Sequence, residues 1–75
     1  MNLKEILKEV FALKDEQFSD KQSILDLEQF DSMNHMVFIT RLEEEFNIEL
    51  MWEDIEKMIT IGEIKSILQS KGITV

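Results

Sequence analysis

Apolar side chains at Leu3, Ile6, Leu7, Val10 and Phe11 fall at i, i+3, i+4, i+7 and i+8, one face of a 3.6-residue helix. Asn2 stands at the N-cap position, with Glu5 three residues on as its reciprocal partner. The pattern predicts a helix from Leu3 to Leu13 or Lys14. Between residues 15 and 31 the period is lost. Phe18, Ile24, Leu25, Leu27 and Phe30 are scattered anchors in a polar stretch. This reads as a long ordered loop with a helical turn near Ser23 to Leu27. Loops of that length inside a compact domain tend to be functional.

The strongest helical pattern comes next. Asp31 or Ser32 is the N-cap, the helix continues to Phe46, and Asn47 suits the exit turn. A short third helix is predicted over Glu53 to Met58, with Trp52, Ile55 and Ile59 facing inward. A fourth opens at the capping box Thr60-Ile61-Gly62-Glu63, presents Ile64, Ile67 and Leu68, and stops at Lys71-Gly72. There is no proline, and no low-complexity segment, repeat or linker interrupts the chain. The expected architecture is all-α: a single domain over residues 1–75, a four-helix bundle with a long loop between helices 1 and 2 and a short third helix.

The second helix is unusual in having two apolar faces. On a wheel of 100° per residue, Phe38, Ile39, Leu42 and Phe46 form the core stripe, and His35 falls on that side. Met33, Met36, Val37 and Thr40 point the other way, with Glu43 and Glu44 among them. Two readings fit the outward face. Met33 and Met36 fill gaps under the long loop, or the face is a docking surface. Methionine is adaptable and common at surfaces that meet several partners. An acidic fringe would attract their Arg and Lys side chains.

Composition narrows the function classes. Seventy-five residues make one small domain, with little material to close a cleft around a substrate. No cysteine is present, so a disulfide framework, a thiolate metal site and a cysteine nucleophile are excluded. A single histidine argues against a His-rich metal site. The net charge of −8 repels nucleic acid and anionic membranes and favours basic partners. Residues 19 to 50 hold −6 of that charge, so the negative field centres on the loop and the second helix. The acidic surface also disfavours self-association, and a monomer is expected. No apolar run approaches the ~20 residues of a membrane span and no signal peptide is visible, so the expected compartment is the cytoplasm.

One hydroxyl occupies a special place. Ser32 opens the second helix, beside Asp31 and at the edge of the Met33/Met36 patch. Read plainly it is an N-cap serine. Read functionally it is an attachment site, since a helix N-terminus favours an anion such as phosphate.

Asp31-Ser32-Met33, followed ten residues after the serine by Leu42-Glu43-Glu44-Glu45-Phe46, resembles the acyl carrier protein family. The final helix opening with Thr60 fits the same pattern. The resemblance covers nearly the whole chain and is strongest from Leu27 to Leu68. It implies an acyl-carrier-like bundle and a non-enzyme that presents acyl, aminoacyl or hydroxyacyl groups to other enzymes. Ser32 would carry a covalent 4′-phosphopantetheine arm whose thiol holds those groups as thioesters. Asp31 would be read by a phosphopantetheinyl transferase that brings its own metal. Met33, Met36, Thr40, Glu43 and Glu44 match partner-contacting positions, and Val37 lies in the same patch. Implied partners are that transferase and acyl-loading or acyl-transfer enzymes with basic docking patches. Phe38, Ile39, Leu42 and Phe46 match the inner wall, where some members shelter their cargo.

The chain also departs from the family pattern. Gln29 replaces a frequent glycine, Met51-Trp52 replaces a proline-containing turn, and Asn34 and Val37 replace acids common in fatty-acid carriers. The run Phe30-Asp31-Ser32-Met33-Asn34-His35-Met36 is more similar to free-standing carriers of specialised pathways. These include surface-polysaccharide decoration, aminoacyl or hydroxyacyl transfer and secondary metabolism.

Other readings compete with this one. One is an acidic helical interaction module without a prosthetic group, using the same methionine patch. Another is a carrier fold that has lost modification. A hydrolase built on Ser32 and His35 lacks an orienting acid and an oxyanion site. His35 is expected to be a semi-buried structural residue. An EF-hand at Asp26 to Asp31 fails, because the loop glycine is missing and Phe30 sits at a ligand position.

Overall fold

The computed structural model describes residues 1–75 and contains four α-helices: α1 Leu3–Phe11, α2 Ser32–Phe46, α3 Trp52–Lys57 and α4 Ile61–Ser70. Two short 3₁₀ turns, Asp15–Gln17 and Ile24–Asp26, punctuate the loop between α1 and α2. The predicted bundle, its long loop and its short third helix are all present.

α1 begins at the expected capping box. Asn2 Oδ1 accepts the Glu5 N–H at 2.9 Å, and Glu5 Oε1 accepts the Asn2 N–H at 3.1 Å. The helix ends earlier than the apolar pattern predicts, at Phe11 rather than Leu13 or Lys14. Ala12 adopts a left-handed conformation, φ 58°, and the Leu13 N–H reaches back to the Leu7 carbonyl at 3.4 Å. That turn drops Leu13 into the core, where it is buried. An apolar side chain alone does not distinguish a helical position from the second residue beyond the helix.

α2 runs over the predicted span, and Asn47 in the left-handed region, φ 52°, ends it. Its inner residues Phe38, Ile39 and Leu42 are buried against the stripe of α1. Phe11 is the hinge of the packing. Its ring lies 5.2 Å from Phe38 and 5.6 Å from Phe30, so the loop residue before Asp31 is stacked into the core.

The long loop is laced to the chain between α3 and α4. The Ile24 N–H donates to the Ile59 carbonyl at 2.8 Å, and the Ile61 N–H donates to the Gln22 carbonyl at 2.9 Å. The Gly62 N–H reaches the Asp20 carbonyl at 3.0 Å. A Cβ on Gly62 would sit 3.0 Å from both that oxygen and the Asp20 Cβ, so any larger residue would push the loop back by a few tenths of an ångström. Ile24 and Leu27 are buried and Phe18 and Phe30 half-buried, whereas Leu25 faces solvent.

α3 differs from expectation on one side. Trp52 does not face inward; it is 66% exposed at the start of the helix. Met58, just beyond the helix end, is the fully buried anchor, with Ile55 and Ile59 half-buried beside it. Asp54 explains the orientation. Its Oδ2 takes the Met51 N–H at 3.0 Å and the Lys71 ammonium at 2.8 Å, which ties α3 to the end of α4 and leaves the indole on the outer side. The Lys71 contact and the Met51 N–H hold the Asp54 carboxyl below its ordinary range. α4 has its capping box, with Thr60 Oγ1 accepting the Glu63 N–H at 3.1 Å, and buries Ile61, Ile64 and Leu68. Gly72 takes φ 87° after the last turn.

Candidate functional site

The start of α2 is assembled from three polar residues within four positions, Asp31, Ser32 and Asn34. Asp31, not Ser32, is the N-cap: its Oδ1 accepts the Asn34 N–H at 2.7 Å. The Asn34 side chain then donates from Nδ2 to the Gln29 carbonyl at 2.8 Å. Asn34 therefore grips both the cap residue and the chain two residues before it, and the corner carrying Ser32 is pinned from below. In the sequence Asn34 stands out only as a missing acid. The signal available was its place at the third helical position after an Asp cap.

With the cap supplied by Asp31, Ser32 is left at the first helical position, exposed, with its hydroxyl in no hydrogen bond of the chain. The plain reading of Ser32 as the N-cap is set aside by that geometry. Its oxygen projects from the start of a 15-residue helix, where unsatisfied N–H groups and the helix dipole favour a negative group. The residues present thus fit a phosphodiester on Ser32.

His35 lies one turn on, toward the core. Its ring is 5.4 Å from Phe30, and its Nε2 is buried with no hydrogen-bond partner. Burial pushes its pKa below the ordinary 6.5, so the imidazole is held neutral. Ser32 and His35 form no hydrogen bond, and no carboxylate orients the ring, so no nucleophile–base pair is built here. No three His, Asp or Glu side chains gather to hold a metal ion.

From Ser32 the outward face of α2 descends as an open groove of about 580 Å³, lined by Met33, Met36, Val37, Thr40, Arg41 and Glu44. Met33 is 75% exposed, Met36 53% and Val37 41%. The methionines do not fill gaps under the loop; they stand in solvent. Glu43 has a different place from the rest of the predicted set. It is half-buried, and its Oε2 accepts the Leu50 N–H at 2.9 Å, fixing the turn that leads to α3. Arg41, absent from that set, borders the groove while its guanidinium bonds Glu9 Oε1 on α1 at 3.0 Å.

Comparison with known proteins gives a consistent answer. Residues 2–68 match the family described as phosphopantetheine attachment site. A protein named acyl carrier protein from Bdellovibrio bacteriovorus is 30% identical over 70 residues, covering 93% of this chain and 90% of that one. Acyl carrier proteins from Buchnera aphidicola are similar. One, from the subspecies Schizaphis graminum, is 32% identical over 93% of this chain and 89% of its own length. Another, from the subspecies Acyrthosiphon pisum, is 32% identical over 95% of this chain and 89% of its own.

Proposed function

The chain belongs to the phosphopantetheine-attachment family of acyl carriers, and on that premise we propose that Ser32 is the residue that carries its arm. The protein is an acyl carrier and not an enzyme, and its cofactor is covalent 4′-phosphopantetheine. Once attached, the arm supplies a terminal thiol that holds acyl groups as thioesters. This chain's own residues supply position rather than catalysis. α2 presents the attachment oxygen at a rigid corner, Asp31 and Asn34 fix that corner, and Phe30 stacks it onto the core. Tethering cargo there raises its local concentration for the biosynthetic enzymes that meet the carrier.

The observation that carries the assignment to Ser32 is its free, exposed hydroxyl beside a carboxylate that does the capping. Asp31 is the residue a phosphopantetheinyl transferase reads, through the carboxylate oxygen not used by Asn34. Met33, Met36, Val37, Thr40 and Glu44 form the surface that partner enzymes meet, supported by their exposure along one groove. Glu43 stands at its edge. Asn34 and Val37, where fatty-acid carriers have acids, together with the Phe30-to-Met36 run, support a free-standing carrier of a specialised pathway. No helix is long and apolar enough to cross a membrane. We place the carrier in the cytoplasm as a monomer, because a net charge of −8 opposes self-association.

The test is an intact mass after incubation with a broad-specificity phosphopantetheinyl transferase and coenzyme A, alongside Ser32→Ala. One added arm on the parent chain and none on a folded Ser32→Ala is the expected result. An arm that persists in Ser32→Ala would place the attachment elsewhere. No added mass with two different transferases on a folded chain would favour an interaction module.

A further inference from the structure

The net charge of this protein predicts partners that dock through rows of cations. The groove below Ser32 does not. From Ser32 to Arg41, α2 contains no carboxylate. Its acids are confined to Glu43, Glu44 and Glu45. Two of these three already have partners inside the molecule: Glu43 holds the Leu50 N–H, and Glu45 pairs with the chain's N-terminal ammonium. Glu44 alone lines the groove as an anion, and Arg41 lines it as a cation. The groove is therefore close to neutral on a chain carrying −8, and its most exposed walls are Met33, Met36 and Val37.

We propose that the transferase reaching Ser32, besides the donor with which it reads Asp31, docks in this groove through an apolar side chain seated among Met33, Met36 and Val37, with at most one cation in the groove, placed against Glu44. The proposal rests on Ser32 as the attachment residue and adds the chemistry of the docking surface. Arg41 offers nothing further to a basic partner, because its guanidinium and the Glu9 carboxylate already neutralise each other at the edge of the groove. A partner bringing a cluster of Arg or Lys would find one unpaired carboxylate there, Glu44, to receive it. Long-range attraction from the net charge still speeds encounter, while the contact that holds the complex is apolar.

Two measurements decide it, both read as KM for the carrier in loading by a broad-specificity phosphopantetheinyl transferase with coenzyme A. The first uses the parent chain at about 50 mM and about 500 mM NaCl, across which exposed charge pairs are strongly screened. KM is expected to change less than about fivefold, the most that one exposed ion pair contributes. A rise of about tenfold or more would overturn the proposal. The second uses Val37→Asp, a surface change checked for unchanged helicity. A new carboxylate in an apolar contact is expected to raise KM about tenfold, whereas at a cation-reading surface it would lower KM. A Val37→Asp KM equal to or below that of the parent would overturn the proposal. Complete failure of the parent chain to load at either salt would overturn the Ser32 assignment itself, and this inference with it. A loaded chain with steep salt dependence would overturn only the docking chemistry.

Discussion

α1 and α2 lie side by side, each with an apolar inner stripe, yet their outer faces differ. On α1 every outward charge has a task within the chain. Glu5 closes the cap, Lys4 and Lys8 converge on Asp15, and Glu9 pairs with Arg41. On α2 the outward face offers Met33, Met36 and Val37 to solvent and leaves the Ser32 hydroxyl free. Both helices are held by the same core. What differs is whether the second face is taken up by contacts of the fold or left to solvent. A helix face whose apolar residues have no internal partner is where a carrier's function has to be sought.

The largest effects come from the shared inner face. Phe11 touches both Phe38 and Phe30, so Phe11→Ala opens a cavity at the junction of α1, α2 and the loop. A loss of about 3–5 kcal/mol is expected, enough to unfold much of a domain this small. Met36→Ser, on the outer face, is expected to stay within about 0.5 kcal/mol. Urea unfolding followed by circular dichroism measures both. A Met36→Ser loss comparable to that of Phe11→Ala would erase the distinction between the two faces and restore the gap-filling reading of the methionines.

A finer cut separates neighbours on α2 itself. Glu43→Ala leaves the Leu50 N–H without its acceptor at a buried residue, and a loss of about 1–2 kcal/mol is expected, discounted for partial exposure. Glu44→Ala is expected to change stability by less than about 0.5 kcal/mol. The same urea midpoints test the pair. If both variants behave alike, the Glu43 hydrogen bond contributes nothing net, and Glu43 belongs with Glu44 to the outer surface.

The extent to which the sequence showed this in advance follows the range of each interaction. α2, its Asn47 stop and the Thr60 capping box were legible, because caps and a 3.6-residue stripe are set by residues within four positions of one another. Ser32 stood out as a candidate through its local motif, and the structure leaves its hydroxyl exposed and unbonded. The tasks of Glu43, Arg41 and Gly62 were not legible. Their partners, Leu50, Glu9 and Asp20, are chosen by the packing of separate elements, and no local pattern announces them. Trp52 misled for a related reason. An indole in a helical register is expected inward, but Asp54 between the Met51 N–H and Lys71 settles which side of α3 turns to solvent. Local rules decided that α3 exists, and distant contacts decided how it lies.

The smallest effect sits where the two faces of α2 meet. His35 shares a helical turn with Ser32, but its Nε2 is buried without a partner against Phe30. Its folded pKa lies below the ordinary 6.5, so the folded chain binds a proton less readily than the unfolded chain. Stability is therefore full above pH 6.5 and falls as pH drops through 6.5 toward the folded value. His35→Leu removes both the titration and the orphaned nitrogen, and its stability is expected to stay level through that window and to match or exceed the parent's at neutral pH. Asp15 and Asp54, held below their ordinary 3.8 by lysine contacts, lose their contribution only at lower pH, so the two windows do not overlap. Thermal unfolding of both chains between pH 7.5 and 5 reads the difference. A parent chain whose midpoint does not fall relative to His35→Leu would mean that the ring reaches water. The inner face of α2 would then be open at the Ser32 end, where its packing against Phe30 now separates it from the outer one.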